Sequence, residues 1–191
     1  CPDYLCMRAC VRRTFDHAVN IPAVQSTIIE KAFGAGMPDF PVRSGNGIKI
    51  AVVGGGPAGL GGAAVLGQLG YTVDIFDLSR RAGGMCHLIP EWRLDRKVLT
   101  RDIDFVLGLG DIHLIPETAI FSPNVLIRSG EYAAVLVTIG QDTPVAPDMP
   151  GGVHVVPWQK YLEHHKKIPV KNRQVMIIGG GAIAVDCATT A

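Results

Sequence analysis

An apolar segment that runs into a cluster of glycines constrains the fold of this chain most. Residues 48–53 are mostly apolar, Gly54-Gly-Gly-Pro-Ala-Gly59 follows, and small residues continue as far as Leu69. The spacing Gly54-x-Gly56-x-x-Gly59 predicts a strand, a tight turn and a helix of the kind that binds a dinucleotide. We expect the diphosphate to lie on the unpaired N–H groups at the start of that helix.

An acidic residue follows at the expected distance. Residues 71–76 read as a second strand, which ends at Asp77, about twenty residues after the glycines. A carboxylate at this position accepts hydrogen bonds from ribose hydroxyls. The alternative is an ordinary strand-glycine-helix junction with a solvated Asp77.

The same pattern occurs a second time near the end of the chain. Residues 174–178 are followed by Gly179-x-Gly181-x-x-Ala184, with alanine at the third place. Two such turns predict two bound nucleotides, and hydride transfer between them is the evident use. A second copy with a purely structural role remains open.

The composition of the chain is typical of a globular protein. The chain has 191 residues, is 48% hydrophobic and carries a formal net charge of +1. This predicts a globular protein with a packed core and gives no indication of nucleic-acid binding or membrane insertion, so we expect a cytoplasmic location. The first residue is Cys1, and the last residue falls inside the predicted second nucleotide helix. We therefore expect a chain that is truncated at both ends.

Three cysteines lie close together at the start, at Cys1, Cys6 and Cys10. Cys6 and Cys10 are predicted to share a helical face, because they are four residues apart. Clustered cysteines without an export signal favour metal or iron-sulfur ligation over a disulfide framework. Reduced cysteines on a surface helix, or a zinc site, are the alternatives.

The loop after Asp77 is expected at the ligand-binding edge of the sheet, where the second strand ends. Gly83 and Gly84 would let the backbone approach a cofactor, and Arg93 suits a diphosphate or a ring carbonyl. We interpret the adjacent Cys86 and His87 as packing residues.

The rest of the chain predicts an α/β fold. Periodicity and turn residues indicate helices over residues 20–33, 95–109 and 158–166, and short strands over 112–115, 124–127 and 132–140. The predicted domains are a partial helical iron-sulfur segment (1–40), a Rossmann-like FAD-binding domain (48–150), and a connection with the start of an NAD(P)-binding fold (151–191).

These motifs together resemble one flavoprotein family. It comprises the glutamate synthase small subunit, the amino-terminal half of dihydropyrimidine dehydrogenase, and the large subunit of NADH-dependent ferredoxin:NADP oxidoreductase. The resemblance is carried by the spaced cysteines, the two glycine turns, Gly83-Gly84 and the segment Ile89-Pro-Glu-Trp-Arg-Leu94.

The resemblance implies FAD in the first nucleotide fold, NAD or NADP in the second, and two 4Fe-4S clusters in the amino-terminal helical segment. It implies that Cys1, Cys6 and Cys10 are cluster ligands divided between the two clusters, and that Gln25 lies beside or ligates one of them. It places FAD against Gly54, Gly56, Pro57, Ala58, Gly59, Asp77, Gly84, Met85 and Arg93. The second turn places the nicotinamide nucleotide at Gly179, Gly181, Ala182 and Ile183.

The expected function is that of an oxidoreductase module. It would move electrons between NAD(P)H, FAD and 4Fe-4S clusters, to or from a larger partner subunit or domain, without a catalytic side chain. At Ala182 and Ile183 the family commonly has an Asn/Asp-Thr pair. This departure motivates an alternative, in which the chain is a relay or scaffold subunit that keeps FAD and clusters but binds no nicotinamide nucleotide.

Overall fold

A computed structural model describes residues 4–36, 39–141, 143 and 150–191. The chain divides into two compact units, Cys1–Phe40 and Pro41–Ala191. Cys1, residue 142 and residues 144–149 lie outside the described residues.

The first unit is helical. It contains α1 (Leu5–Arg8), a 3-10 helix (Val11–Thr14) and α2 (Ile21–Ala35). The start of α2 is fixed by Asn20, whose side chain accepts a hydrogen bond of 3.2 Å from the Ala23 N–H, and by Pro22 in the first turn. The helix predicted over residues 20–33 is therefore present.

A parallel sheet forms the centre of the second unit. Its strands are β1 (Lys49–Val53), β2 (Thr72–Phe76), β3 (Ile112–Ile115) and β4 (Ala134–Val137), in the order β3-β2-β1-β4. Val53 is in register with Phe76 on one side and with Val137 on the other. The carboxyl ends of these strands therefore meet at one edge, where ligands bind in open α/β sheets.

Helices cover the two faces of the sheet. On one face, α3 (Pro57–Gln68) and α4 (Arg96–Leu107) pack around the fully buried Val52, Val73 and Ile75. On the other face, α5 (Pro123–Arg128) places Leu126 against a second apolar cluster that includes Phe76. The predicted α/β class with a Rossmann-like parallel sheet is confirmed.

A polar network crosses the second face of the sheet. Lys49 Nζ lies 2.9 Å from Asp74 Oδ2 and 2.7 Å from Glu131 Oε1, and the Tyr132 hydroxyl donates to Asp74 Oδ2 at 2.8 Å. Asp74 is 5% exposed. These partners compensate its burial and join β1, β2 and the residues that lead into β4.

Two helices complete the second unit near its carboxyl end. A short 3-10 helix (Gly152–His154) precedes α6 (Trp158–His164), which continues into another 3-10 turn (His165–Lys167). The last helix, α7 (Ala182–Thr190), packs against α6. Within the described ranges, no helix combines the length and apolar character needed to span a membrane.

Two predicted strands are wrong. Residues 124–127 lie in the helix α5, because Pro123 suits a helical first turn and only Leu126 of that run is buried. Residues 174–178 form no strand in the described chain, and Val175, Met176, Ile177 and Ile178 are exposed. An extended segment becomes a strand only when neighbouring strands pair with it, and residues 174–178 have no such partner among the described residues.

Candidate functional site

The first glycine turn connects β1 to α3 at the carboxyl edge of the sheet. Gly54 has φ +104°, and a Cβ there would lie 2.7 Å from the Thr138 carbonyl carbon. A Cβ on Gly59 would lie well inside van der Waals contact of the Gly54 carbonyl oxygen. Only glycine fits these positions, so the helix can start directly beside the strand.

Gly56 leaves the turn open on its outer side. It is the N-cap residue of α3, Pro57 occupies the first helical position, and nothing lies within 4 Å of where a Gly56 Cβ would stand. No side chain caps this helix start in the described residues. The free N–H groups of the first turn, which includes Ala58, therefore fit a diphosphate.

Asp77 lies directly against this turn. Its Oδ2 accepts a hydrogen bond of 2.6 Å from the Gly55 N–H, and its Oδ1 accepts one of 2.7 Å from the Ser79 N–H. The side chain is buried, with 8% of the residue exposed. A carboxylate has about four acceptor sites, so these bonds orient Asp77 and leave capacity for ribose hydroxyls.

The loop after β2 returns to the same turn. The Gly83 N–H donates to the Gly55 carbonyl at 2.7 Å, and a Cβ on Gly84 would lie 3.0 Å from the Gly56 Cα. Gly84 begins a 3-10 helix (Gly84–Leu88) that contains Met85, which is 37% exposed. The structure thus brings Gly84 beside the first turn, and Met85 is the next residue of the 3-10 helix.

The interpretation of Cys86 and His87 as packing residues agrees with their contacts. His87 Nε2 hydrogen-bonds the Ala82 carbonyl at 2.8 Å. Cys86 is partly buried, and that burial raises the pKa of its thiol. A raised pKa disfavours the thiolate that a metal would need.

Arg93 has a partner that the sequence did not reveal. Its Nη1 donates to Oδ2 of Asp186, a buried residue of α7. The Arg93 side chain therefore links the loop after β2 to α7, the helix of the second turn.

Two further residues were not among the predicted site residues. The Thr138 hydroxyl donates to the Gly54 carbonyl at 2.8 Å, at the end of β4. Arg96 of α4 donates to the Ile89 carbonyl at 2.6 Å and to the Cys86 carbonyl at 3.2 Å. Thr138 holds the turn and Arg96 holds the loop. Thr138 belongs to no local motif, because its partner Gly54 is distant in sequence. Arg96 belongs to none either, because it binds backbone carbonyls, which any residue type can provide.

The second turn also precedes a helix. Gly179 has φ +135°, Gly181 is the N-cap residue of α7, and nothing lies within 4 Å of where a Cβ on Gly181 would stand. Ala182 and Ile183 form the first helical positions. This start of α7 repeats the geometry of α3, without a paired strand before it in the described residues.

The cysteines of the first unit are arranged differently from the prediction. Cys6 is exposed on α1, but α1 ends at Arg8, and Cys10 lies beyond it in extended conformation. The two residues therefore do not share a helical face, because the helix stops before Cys10. Gln25 is exposed on α2.

The thiol of Cys10 has a lowered pKa. Backbone hydrogen bonds from Val19 and then from Arg12 hold the pKa of its thiol below the usual value. This favours the thiolate, which is the form that binds metals. Among the described residues, which exclude Cys1, no three His, Cys, Asp or Glu side chains come close enough together to hold a metal ion.

Known proteins are similar in sequence to this chain over most of its length. The family described as pyridine nucleotide-disulphide oxidoreductase matches residues 48–191. The glutamate synthase [NADPH] small chain of Bacillus subtilis is 31% identical over 97% of this chain and 41% of its own length. The NAD-dependent dihydropyrimidine dehydrogenase subunit PreT of Salmonella typhimurium is 32% identical over the whole chain and 48% of its own length.

The matched relatives are longer proteins. The glutamate synthase [NADPH] small chain of Mycobacterium tuberculosis is 31% identical over 97% of this chain and 42% of its own length. Across the curated relatives the chain spans about a fifth to a half of their length. The resemblance expected from the motifs is confirmed by these matches, and the family supports a redox role. The chain belongs to the pyridine nucleotide-disulphide oxidoreductase family.

Proposed function

We propose that this chain is the flavin-binding part of an NAD(P)H-dependent oxidoreductase that exchanges electrons with iron-sulfur clusters. The first glycine turn carries the proposal. It combines an open helix start at Gly56 with a buried carboxylate, Asp77, fixed by the Gly55 N–H at 2.6 Å. A diphosphate and a ribose, joined in one dinucleotide, need these two features side by side.

The residues of the turn would bind and orient the cofactor. The N–H groups at the start of α3 would hold the FAD diphosphate, and the free acceptor sites of Asp77 would receive ribose hydroxyls. Gly84 and Met85 would border the cofactor on the loop side. FAD itself, when bound, supplies the exchange between two-electron and one-electron donors.

The second turn would bind the nicotinamide nucleotide. Its glycines repeat the open helix start at α7, and the names of the relatives include both NAD-dependent and NADPH proteins. Gly179, Gly181, Ala182 and Ile183 would then lie against the diphosphate of NADH or NADPH. This position puts the hydride donor in the same structural unit as the flavin site.

The amino-terminal cysteines would bind the clusters. Thiolates are the usual ligands of 4Fe-4S clusters, and the hydrogen bonds to Cys10 favour its thiolate. Cys1, Cys6 and Cys10 would contribute to two clusters, and Gln25 would lie beside or ligate one of them. The relatives include a small chain and a subunit, which supports a larger partner subunit as the electron donor or acceptor.

The first experiment measures cofactors in the full-length protein. We expect bound FAD, iron and acid-labile sulfide after anaerobic purification, and loss of the flavin absorbance on addition of NADH or NADPH. A protein that binds no FAD after incubation with excess cofactor would refute the proposal.

Asp77 provides a sharper test of the first turn. Replacement by asparagine removes the charge that two backbone N–H groups and a ribose would share, a loss of about 1.5–3 kcal/mol. FAD affinity should therefore fall by about tenfold to a hundredfold in a titration of the apoprotein. The control is Asp104→Asn, an exposed residue of α4, which should bind FAD as the wild type does.

The relay or scaffold subunit without a nicotinamide site remains the second candidate function. It is favoured by Ala182 and Ile183 at the second turn and by the absence of a strand over residues 174–178 within the described chain. Titration of NADH and NADPH onto the reconstituted complex separates the two candidates. A flavin that is reduced only through its partner subunit supports the relay.

A further inference from the structure

The ion pair between Arg93 and Asp186 connects two parts of the chain that the glycine turns leave unconnected. Arg93 lies in the loop that follows Gly84, and Asp186 lies in α7, the helix that begins at the second turn. The 3-10 helix of that loop packs on α6, and α6 packs on α7. Both side chains therefore belong to one packed region of the second unit.

Asp186 is buried far more deeply than a surface ion pair requires. Its side chain is 5% exposed, and its Oδ1 is buried without a hydrogen-bond partner among the described residues. A buried carboxylate is costly unless a cation compensates it. Arg93 provides that compensation, so the carboxylate confines the guanidinium to one place.

The backbone around Arg93 is also held. The Pro90 carbonyl accepts hydrogen bonds from the N–H groups of Arg93 at 2.9 Å and of Leu94 at 3.1 Å. Arg96 binds two carbonyls of the same loop, and the start of the loop is hydrogen-bonded to the first glycine turn. Arg93 is thus held at its backbone N–H by Pro90 and at its guanidinium by Asp186.

The guanidinium keeps capacity for a further ligand. An arginine has five N–H donors in a planar fork, and the Asp186 contact uses Nη1. The Arg93 side chain retains 28% of its surface exposed. A guanidinium that is held by a buried carboxylate and retains unused N–H donors is preorganised to bind an acceptor oxygen.

We propose that Asp186 is a positioning residue for the flavin: it holds Arg93 in place so that the free N–H groups of the guanidinium bind an acceptor oxygen of FAD. The inference rests on the proposed function, because it needs FAD at the first turn. It adds a role for α7, the helix of the second nucleotide site, in shaping the first site.

A double-mutant cycle on FAD affinity tests this role, since only a residue that acts through Arg93 loses its effect when Arg93 is gone. The variants are Asp186→Asn, Arg93→Met and the double variant, in the full-length apoprotein titrated with FAD. We expect each single change to weaken FAD binding about tenfold and the double change to add less than about twofold. Asp102→Asn, which breaks the Arg101 ion pair on α4, is the control and should bind FAD normally.

The outcomes separate the two proposals. A wild-type protein that binds no FAD overturns the proposed function and this inference together. A wild type that binds FAD, with an unchanged affinity in Asp186→Asn or with multiplied losses in the double variant, overturns only the inference.

A conservative pair of variants keeps the test decisive if Asp186→Asn does not fold by circular dichroism. Arg93→Lys retains a cation for Asp186 but lacks the planar fork, so FAD affinity should still fall. Asp186→Glu retains the carboxylate and should bind FAD more tightly than Arg93→Lys. An Arg93→Lys variant with wild-type FAD affinity overturns the inference.

Discussion

Gly59 is the residue at which the helix α3 passes closest to the turn that precedes it. A Cβ there would collide with the Gly54 carbonyl and lie 2.8 Å from Thr138 Oγ1. We expect Gly59→Ala to lower the free energy of unfolding by about 1–3 kcal/mol, because the strand and the helix must separate. Thermal denaturation measures the loss of stability, and FAD titration measures the effect of the substitution on cofactor binding at the first turn.

Gly61 is the matched control for this substitution. It lies in the same helix, and nothing stands within 4 Å of its added Cβ. Gly61→Ala should be neutral or stabilise the protein by up to about 1 kcal/mol, because alanine favours a helix over glycine. If Gly59→Ala were as stable as Gly61→Ala, the close approach of turn and helix would be wrong.

Single residues also show how far the sequence could predict this site. The glycine turn was predictable because its spacing reflects local backbone geometry, and Asp77 was found because it follows the glycines at the distance typical of this motif. Their contacts with FAD stay a prediction. Thr138 and Asp186 were not predictable, because each acts on a residue distant in sequence, Gly54 and Arg93 respectively. Their contacts depend on strand order and helix packing, which no local motif encodes.

At the scale of elements, α4 stabilises the loop that borders the proposed flavin site. Asp95 caps this helix by accepting a hydrogen bond of 2.6 Å from the Lys97 N–H, and the next residue, Arg96, binds the loop carbonyls. Asp95→Ala should cost about 1 kcal/mol of stability in urea denaturation. Asp95→Asn keeps a capping oxygen and should lie close to the wild type, whereas equal losses in both variants would contradict the cap.

The polar network of the sheet makes the folded state less stable at alkaline pH. Burial and then the Asp74 carboxylate raise the pKa of Tyr132 to about 12 from its ordinary value of 10.0. The folded state therefore keeps a proton that the unfolded state loses, and stability present below pH 10 falls as the pH rises towards 12. Lys49, whose pKa is also raised by Glu131 and Asp74, acts in the same direction.

Tyr132→Phe removes the tyrosine contribution. The midpoint of urea denaturation, measured from pH 9 to about 12, should fall less steeply in this variant than in the wild type, with Lys49 responsible for the remaining slope. At neutral pH the variant should lose about 1 kcal/mol, because Asp74 loses one hydrogen bond. An identical slope in both proteins would show that Tyr132 holds no raised pKa.

Elements were predictable where periodicity and caps agreed, as in α2 and α4. The strand predicted over residues 124–127 was wrong because a short apolar run fits a buried strand and a buried helical turn equally well. Residues 174–178 have the composition of a strand, but strand formation depends on pairing partners that a local reading of the sequence cannot supply.

At the scale of the whole molecule, the proposed cofactors fall in separate units. The flavin turn, the loop and Asp186 all lie in Pro41–Ala191, whereas Cys6, Cys10 and Gln25 lie in Cys1–Phe40. The core of the second unit is formed within the second unit itself, by β1 to β4 with α3, α4 and α5. Flavin binding should therefore not require the first unit.

Removal of residues 1–40 from the full-length protein tests this separation. We expect the shortened protein to retain its melting transition and FAD within about twofold of the wild-type affinity, but to lose iron and sulfide. The Cys6→Ser, Cys10→Ser variant provides the matched comparison, because it keeps the first unit and changes only sulfur atoms that would ligate iron. It should also keep FAD and lose iron. Iron retained in both proteins would place the clusters elsewhere, and FAD lost with the first unit would mean that the cysteine segment helps to form the flavin site.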